Sequence, residues 1–466
     1  MDDTHTAAKA GSDPNAQPAQ PNQVPLSTAS PNVIPRRSVI GWILYDLANT
    51  IFSMGVISLS FPFWVRDHAG AERADQQYSI INGISMGIVF LLSPLLGAVT
   101  DRAPRRLPFL IMSTLICVAL TCTFDRGGYL WTATAFILAN IAYQAGTQYY
   151  DSLLPEVSTE ANRGRIGGIG VGIGYVGSFI AVGLSLALSD KSKSLLFTLY
   201  AMAFLAFALP CMLFLKEKGN PNPRPFNLRA AIDSVRQTVR TLRSSQEHPG
   251  LLRFLIGRMF YTDAINTVIT VMSLFVLNVA MTSGLDRAAG QRQASFIMLF
   301  AITFAVVGGF AWGSLNDRIG PKRTLNAVLF CWMGIFLLAG LIGVLGLPLW
   351  VMYGMGAAAG FCLGGVWAAD RPYMLRLTPP DRIGEFYGLY GMVGRFSAIT
   401  GPLLWGLSTS WLISLQSHGQ KAANEVQAAQ WARVAQGGAV VALLTMVVIG
   451  YWILRPVNDA PRARDV

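Results

Sequence analysis

Residues 165–179 read RIGGIGVGIGYVGSF and residues 382–396 read RIGEFYGLYGMVGRF; at an offset of 217 the two align without a gap and share seven of fifteen positions. Arg165-Ile166-Gly167, Gly174, Val176, Gly177 and Phe179 fall on Arg382-Ile383-Gly384, Gly391, Val393, Gly394 and Phe396. The same offset lays Asp46, Asn49 and Thr50 on Asp263, Asn266 and Thr267, while an offset of 216 lays Gly97, Asp101 and Arg102 on Gly313, Asp317 and Arg318. Three separated matches at nearly one spacing mark an internal duplication, the feature to establish before any local reading.

Composition says what kind of unit is duplicated. Of 466 residues, 52% are hydrophobic and 13% charged, where a soluble protein carries about a quarter charged residues. The mean hydropathy is +0.43. Forty-six glycines and eleven tryptophans agree with membrane helices. A collagen, a coiled coil, a disulfide scaffold and a free-standing soluble enzyme are excluded. The net charge of +11 is scattered through short loops, whereas a nucleic-acid partner needs a basic face on a soluble domain. All five cysteines lie in apolar stretches with no C-x-x-C spacing, and read as small core residues. The four histidines lie outside the apolar runs, so no metal cluster or intramembrane histidine relay is expected.

Stretches long enough to cross about 30 Å of hydrocarbon recur at 38–65, 78–100, 107–124, 129–150, 166–189, 195–215, 251–280, 294–316, 324–343, 350–369, 384–410 and 435–454. Twelve crossings put both termini on one face. That face receives 25 of the 36 Lys and Arg, the other face nine, and Arg258 and Arg395 lie within spans. Such a bias predicts cytoplasmic termini in a cell (inner) membrane. Six crossings per repeat give both halves the same orientation, related by an axis along the membrane normal. The expected organisation is a disordered tail at 1–35, rich in Pro, Gln and Asn; a six-helix bundle at 36–215; a cytoplasmic linker at 216–250; a second bundle at 251–455; and a tail at 456–466. Within the linker, Leu228, Ile232, Val235, Val239 and Leu242 form one apolar stripe beside Arg229, Arg236, Arg240 and Arg243, which suits a helix on the membrane surface or a plain solvated connection.

Gly313-Ser-Leu-Asn-Asp317-Arg318-Ile-Gly320-Pro-Lys322-Arg323, with its counterpart Gly97-Ala-Val-Thr-Asp101-Arg102-Ala-Pro104-Arg105-Arg106, resembles the signature loop of the major facilitator superfamily, Pro104 standing where the pattern prefers Gly. Tyr45-Asp46-Leu-Ala-Asn49, Leu153-Leu154-Pro155-Glu156 and Arg382 through Gly401-Pro402 resemble its vacuole-effluxer-like branch. The resemblance spans residues 38–455. It implies an all-α integral membrane protein with twelve transmembrane helices in two parallel six-helix repeats, helices 3, 6, 9 and 12 lying outermost. It also implies gating residues: Asp101, Arg102, Arg105, Arg165, Asp317, Arg318, Lys322 and Arg382, with Asp101 pairing Arg382 and Asp317 pairing Arg165 when the cytoplasmic side closes. The bland alternative is that these arginines serve only the charge bias.

Asp46 lies about two turns into helix 1 and Asp263 holds the equivalent place in helix 7. Carboxylates at that depth are costly and usually face a cavity or a partner. Asn49 and Asn266 follow three residues later on the same helical face. Asp46 is read as the proton-coupling site and Asp263 as an ion-paired residue. Arg258 and Arg395 supply the opposite charge; a guanidinium keeps its proton and grips carboxylates in a two-pronged geometry, so Arg395 suits an anionic substrate group, or else a permanent bridge to one of the aspartates. Gln144, Gln148 and Trp367 are further substrate or coupling candidates.

Gly172-Ile-Gly174-Tyr-Val-Gly177 satisfies G-x-G-x-x-G, yet it sits inside helix 5 with no strand before it, so it is not a dinucleotide site. No P-loop occurs, so a gradient rather than ATP supplies energy. The reading is a secondary transporter, not an enzyme, without cofactor, metal or nucleic acid. It acts as a monomer and moves a small polar solute by alternating access, with protons as the coupling ion and amino-acid export as the first class to test. A sugar or glycoside symporter is the near alternative, weakened because the helix-2 span holds Asn82 and no carboxylate. A non-transporting solute receptor is the alternative of another class.

Overall fold

A computed structural model of the chain describes residues 34–159, 163–219, 249–378 and 383–457. The tails, the linker stripe and Arg382 lie outside the described residues, as do the side chains of Asp101, Arg102 and Arg165. Twelve long helices occur among the described residues: α1 Arg36–Ala69, α2 Ala71–Arg102, α3 Leu107–Thr121, α4 Gly128–Ser152, α5 Arg163–Ala187, α6 Lys193–Phe214, α7 Pro249–Thr282, α8 Arg287–Ile319, α9 Pro321–Leu345, α10 Leu349–Leu377, α11 Ile383–Ser417 and α12 Glu425–Leu454. Eight of them are long and apolar enough to cross a membrane by length and composition alone, and Leu107–Thr121 and Gly172–Ala187 are shorter apolar helices. Helices α2 and α4 spend part of their faces on Asn82, Asn140, Gln144 and Gln148, which lowers their hydropathy.

Local chemistry sets the helix starts. Ser192, Asp286 and Asn424 each accept a backbone N–H from three residues on, at 3.3, 2.7 and 2.8 Å, capping α6, α8 and α12 where the first N–H groups have no helical partner. Gly320, at φ 87°, ends α8, and Pro321 opens α9 directly; that left-handed turn suits only glycine, and proline is at home at a first helical position.

Two apolar cores form, one from α1–α6 and one largely from α7–α12. The packing partners repeat with a shift of six: α1 against α5 and α6, as α7 against α11 and α12; α3 against α4 and α6, as α9 against α10 and α12; α2 against α4, as α8 against α10. The halves meet where α2 lies along α11 and α5 along α8. Met112 and Leu115 of α3, Leu213 of α6, Leu337 of α9 and Val441 of α12 are exposed and apolar, as faces toward hydrocarbon require.

Two features depart from the sequence reading. Helix α2 begins at Ala71, ahead of the expected span, so Glu72 and a buried Asp75 belong to it; the helix does carry carboxylate, because the polar first turn lies within the helix though outside its hydrophobic run. And Phe52–Ser60 of α1 is wound as a π-helix, a form that gathers at functional sites.

Helices α9 and α12 touch at glycines: a Cβ at Gly437 would stand 2.7 Å from Cα of Gly343. Gly437→Val should therefore lower the melting temperature in detergent, costing about 1–3 kcal/mol by overpacking. Gly334→Ala in α9, where a methyl meets nothing within 4 Å, should leave it unchanged or raise it; equal melting of the two variants would refute the close approach.

Candidate functional site

Between the two cores lies a cavity of about 250 Å³ walled by both halves. The π-wound part of α1 contributes Ser53, α2 Asn82, α4 Asn140 and Gln144, and α7 Asn266 and Thr270. Asn140 donates to Oδ1 of Asn82 at 3.4 Å, while Gln144 reaches Sδ of Met86 at 3.7 Å. Oδ1 of Asn140 is buried and finds no partner among the described residues. The wall carries no ionisable side chain. Four carboxamides offer donors and acceptors together, so the space suits a solute with several hydrogen-bonding groups. A second cavity of about 280 Å³, mostly apolar, shares Ser53 and Ile269 with the first and extends toward α8 and α10.

The structure brings Gln144 and Asn266 together here and places the charges around them. Asp46 sits against α5 where Gly174 leaves room: a Cβ there would be 2.7 Å from its Oδ2. No cation among the described residues is within ion-pair distance of Asp46, and Asp151 and Arg371 are the charges that act on it. Asn49 is buried with its Oδ1 unpartnered among the described residues.

The sequence reading has Asp263 ion-paired, and the structure differs. Its carboxylate accepts the Thr400 hydroxyl and the Gly401 backbone N–H, the latter at 2.7 Å, both on α11. The first half has Gly183 where the repeat has Thr400, so Asp46 has no equivalent hydroxyl to receive.

Arg258 belongs to a sealed cluster within the second half. Its Nε meets Oδ2 of Asp370 at 2.8 Å and its guanidinium lies 3.6 Å from the Tyr390 ring centroid. Tyr261 and Tyr390 both donate to Asp370, Tyr390 at 2.6 Å. In the sequence Asp370 stands only as part of a helix end. The repeat offers no signal for it, since Arg258, Tyr261, Asp370 and Tyr390 fall on Gly41, Leu44, Leu153 and Ile173.

Arg395 reaches the opposite half instead of either aspartate, donating to Oγ of Ser93 at 2.7 Å. Beside it Phe90 and Phe396 meet edge to face with centroids 5.5 Å apart, and Gln148 donates to the Ser93 carbonyl at 3.4 Å. This layer lies between the cavity and the face that carries the termini. On that face Asp151 and Arg371, which belong to opposing halves and act on each other electrostatically, are exposed. Trp367, 39% exposed, stands one turn from Arg371.

Of the gating candidates, Arg105, Asp317 and Arg318 are exposed. Lys322 donates to the carbonyls of Arg455, at 3.1 Å, and Val457, which closes the end of α12 within its own half. The pairs Asp101 with Arg382 and Asp317 with Arg165 involve groups outside the described residues.

Two six-helix units packed in the same pattern around a polar cleft define a transporter fold. In solved structures the likeness is to a bacterial homolog of the human lysosomal transporter Spinster, inward-facing and occupied (TM-score 0.64, 14% identity, 90% of this chain and 95% of that one), and to the nucleoside transporter NupG (TM-score 0.64, 13% identity, 90% and 99%). The model of the family described as vacuole effluxer Atg22 like matches residues 67–410. The chain belongs to that family, and is a multi-pass membrane transporter of the major facilitator type. Similar curated proteins include the uncharacterized MFS-type transporter YxiO of Bacillus subtilis (24% identity, 78% of this chain and 86% of that one) and Autophagy-related protein 22-2 of Aspergillus clavatus (24% identity, 81% and 61%).

Removing one member of a buried ion pair strands the other, at about 3–5 kcal/mol. Asp370→Asn should thus sharply lower the melting temperature in detergent, while Arg258→Met with Asp370→Asn, which removes both charges and keeps a carbonyl acceptor for the tyrosines, should recover part of the loss. A single variant that melts like the parent would show the pair to be dispensable.

Proposed function

We propose that this chain is a secondary active transporter that moves a small polar solute by alternating access, with the carboxamide cavity as the solute site and protons as the coupling ion. The observation that carries the reading is the cavity itself: its donors and acceptors come from both halves, so relative motion of the halves changes which face the bound solute meets. An amino acid is the first cargo class to test, in keeping with the effluxer description of the family. With the termini in the cytoplasm of a cell membrane, as the basic bias predicts, the face that exposes Asp151 and Arg371 is the inner one, and the chain works as a monomer.

Asp46 supports the coupling assignment. It is a carboxylate in the span, without a cation at ion-pair distance among the described residues, on a helix whose next turns line the cavity. Arg395, joined to Ser93 across the halves, serves as a latch beneath the solute. Arg395 stands within one helical turn of Ala398 in the cavity wall, and its guanidinium becomes available to an anionic group when the bond to Ser93 opens. The signature-loop residues Asp101, Arg102, Arg105, Arg165, Asp317, Arg318, Lys322 and Arg382 are assigned to closure of the terminal face.

Labelled-solute flux into proteoliposomes tests this. Uptake or exchange of one class among amino acids, sugars and organic acids is expected, accelerated by a pH gradient. Asn140→Ala and Asn266→Ala should each weaken that solute by about three- to tenfold, one lost hydrogen bond apiece. Asp46→Asn should abolish the pH-gradient acceleration and spare solute exchange. Binding without flux would make the chain a receptor, and undiminished gradient response in Asp46→Asn would move coupling elsewhere.

A further inference from the structure

The face opposite the termini is closed by a continuous buried chain of polar groups that passes between the halves. Arg66 at the end of α1 donates to Oδ1 of Asn278 in α7, and its other terminal nitrogen lies 3.0 Å from Sδ of Met281. Asn278 donates to Oε1 of Gln436 in α12 at 2.9 Å, and Gln436 donates to Oδ2 of Asp75 in α2 at 2.7 Å. Trp405 of α11 completes it, its indole N–H reaching Oδ1 of Asp75 at 2.8 Å. Arg66 and Asp75 belong to the first half; Asn278, Gln436 and Trp405 belong to the second. All five are buried.

Around this chain the rim is held by weaker contacts. Arg287 meets Asp67 at 2.5 Å and Glu425 at 3.7 Å, and Arg292 meets Asp190 at 2.8 Å. These pairs are partly or largely exposed, where an ion pair contributes little. The buried bonds differ because parting the halves leaves each group without its partner until water arrives. One turn deeper, a Cβ at Gly406 would touch Ser79 at 2.7 Å, and one at Gly83 would touch Leu403 at 2.9 Å. From Asp75 through Ser79 and Gly83 to Met86 at the cavity, the α2 and α11 surfaces leave no passage.

We propose that Asp75 and Gln436 are the positioning residues that hold this face shut, acting through Trp405 and Asn278, and that they must release each other each time the cavity turns toward that face. They touch no cargo. Every bond in the chain has a defined direction, with the carboxylate of Asp75 accepting twice and Gln436 both accepting and donating. Replacing Asp75 by asparagine turns one acceptor into a donor that opposes the Gln436 amide. Replacing Gln436 by glutamate at the same time restores the match. The introduced amide at position 75 then accepts from Trp405 and donates to the introduced carboxylate at position 436, which still accepts from Asn278.

The inference rests on the alternating-access reading, and its test needs no solute. A cysteine is placed at Ser79, which is buried, in a chain whose five native cysteines are replaced by alanine, in vesicles with this face outward. Labelling by a membrane-impermeant maleimide then reports opening. Asp75→Asn should speed labelling about tenfold, the effect of one mismatched buried hydrogen bond, and D75N/Q436E should return it to within about twofold of the parent. Unchanged labelling in Asp75→Asn, or a double variant as fast as the single, would overturn the assignment. Should Asp75→Asn fail to fold, Trp405→Phe removes the indole donor together with one ring of the side chain; faster labelling supports the proposal and parental labelling defeats it. If labelling responds as expected while no solute is carried, the transport reading fails and the closure stands.

Discussion

A charge or amide inside about 30 Å of hydrocarbon must find a partner or reach water, and this requirement organises the molecule more than any other. Faces of α3, α6, α9 and α12 turned outward are apolar. The polar side chains within the spans collect where the halves meet or inside one half. Arg258 is neutralised by Asp370 and two tyrosines, Asp263 is satisfied by a hydroxyl and a backbone N–H, and Arg395 by Ser93. Asp46 stands apart, with room made by Gly174 and no cation at bonding distance among the described residues.

The distribution of these contacts describes a state. Away from the termini the halves are tied through Arg66, Asn278, Gln436, Asp75 and Trp405; toward the termini Asp151 and Arg371, from opposing halves, are exposed. The carboxamide cavity lies between, floored by the Arg395 to Ser93 bond and the Phe90–Phe396 contact. Among the described residues the halves are thus joined by buried polar groups above the cavity and by the Arg395 to Ser93 bond below it.

Much of the fold was legible because it depends on patterns that survive in one dimension. Apolar runs marked the helices, and the duplication visible at 165–179 and 382–396 anticipated packing partners that recur with a shift of six helices. The candidate site was legible in part. Asp46, Asp263, Asn266 and Gln144 stood out as polar residues in apolar runs, but Asn82 entered only as a polar residue in place of a carboxylate, and Asn140 carried no signal of its own. Asp75 escaped because it precedes the hydrophobic run of its helix, though not the helix. Asp370 escaped because it sits beside Arg371 near a helix end, where a charge is ordinarily solvated.

The duplication puts Asp46 and Asp263 at equivalent places, and the sequence reading gives Asp263 an ion pair. The structure gives it a hydroxyl and a backbone N–H from α11 instead, and Asp46 meets no such hydroxyl because α5 and α11 diverge at Gly183 and Thr400. The amino-acid order by itself determined the class of protein and its internal repeat, since hydropathy and spacing act along the chain. Which charge meets which was decided only by tertiary packing: Asp75 finds Trp405 and Gln436 at separations of 330 and 361 residues, and such pairing follows from the register in which distant helices dock, a quantity no local stretch encodes.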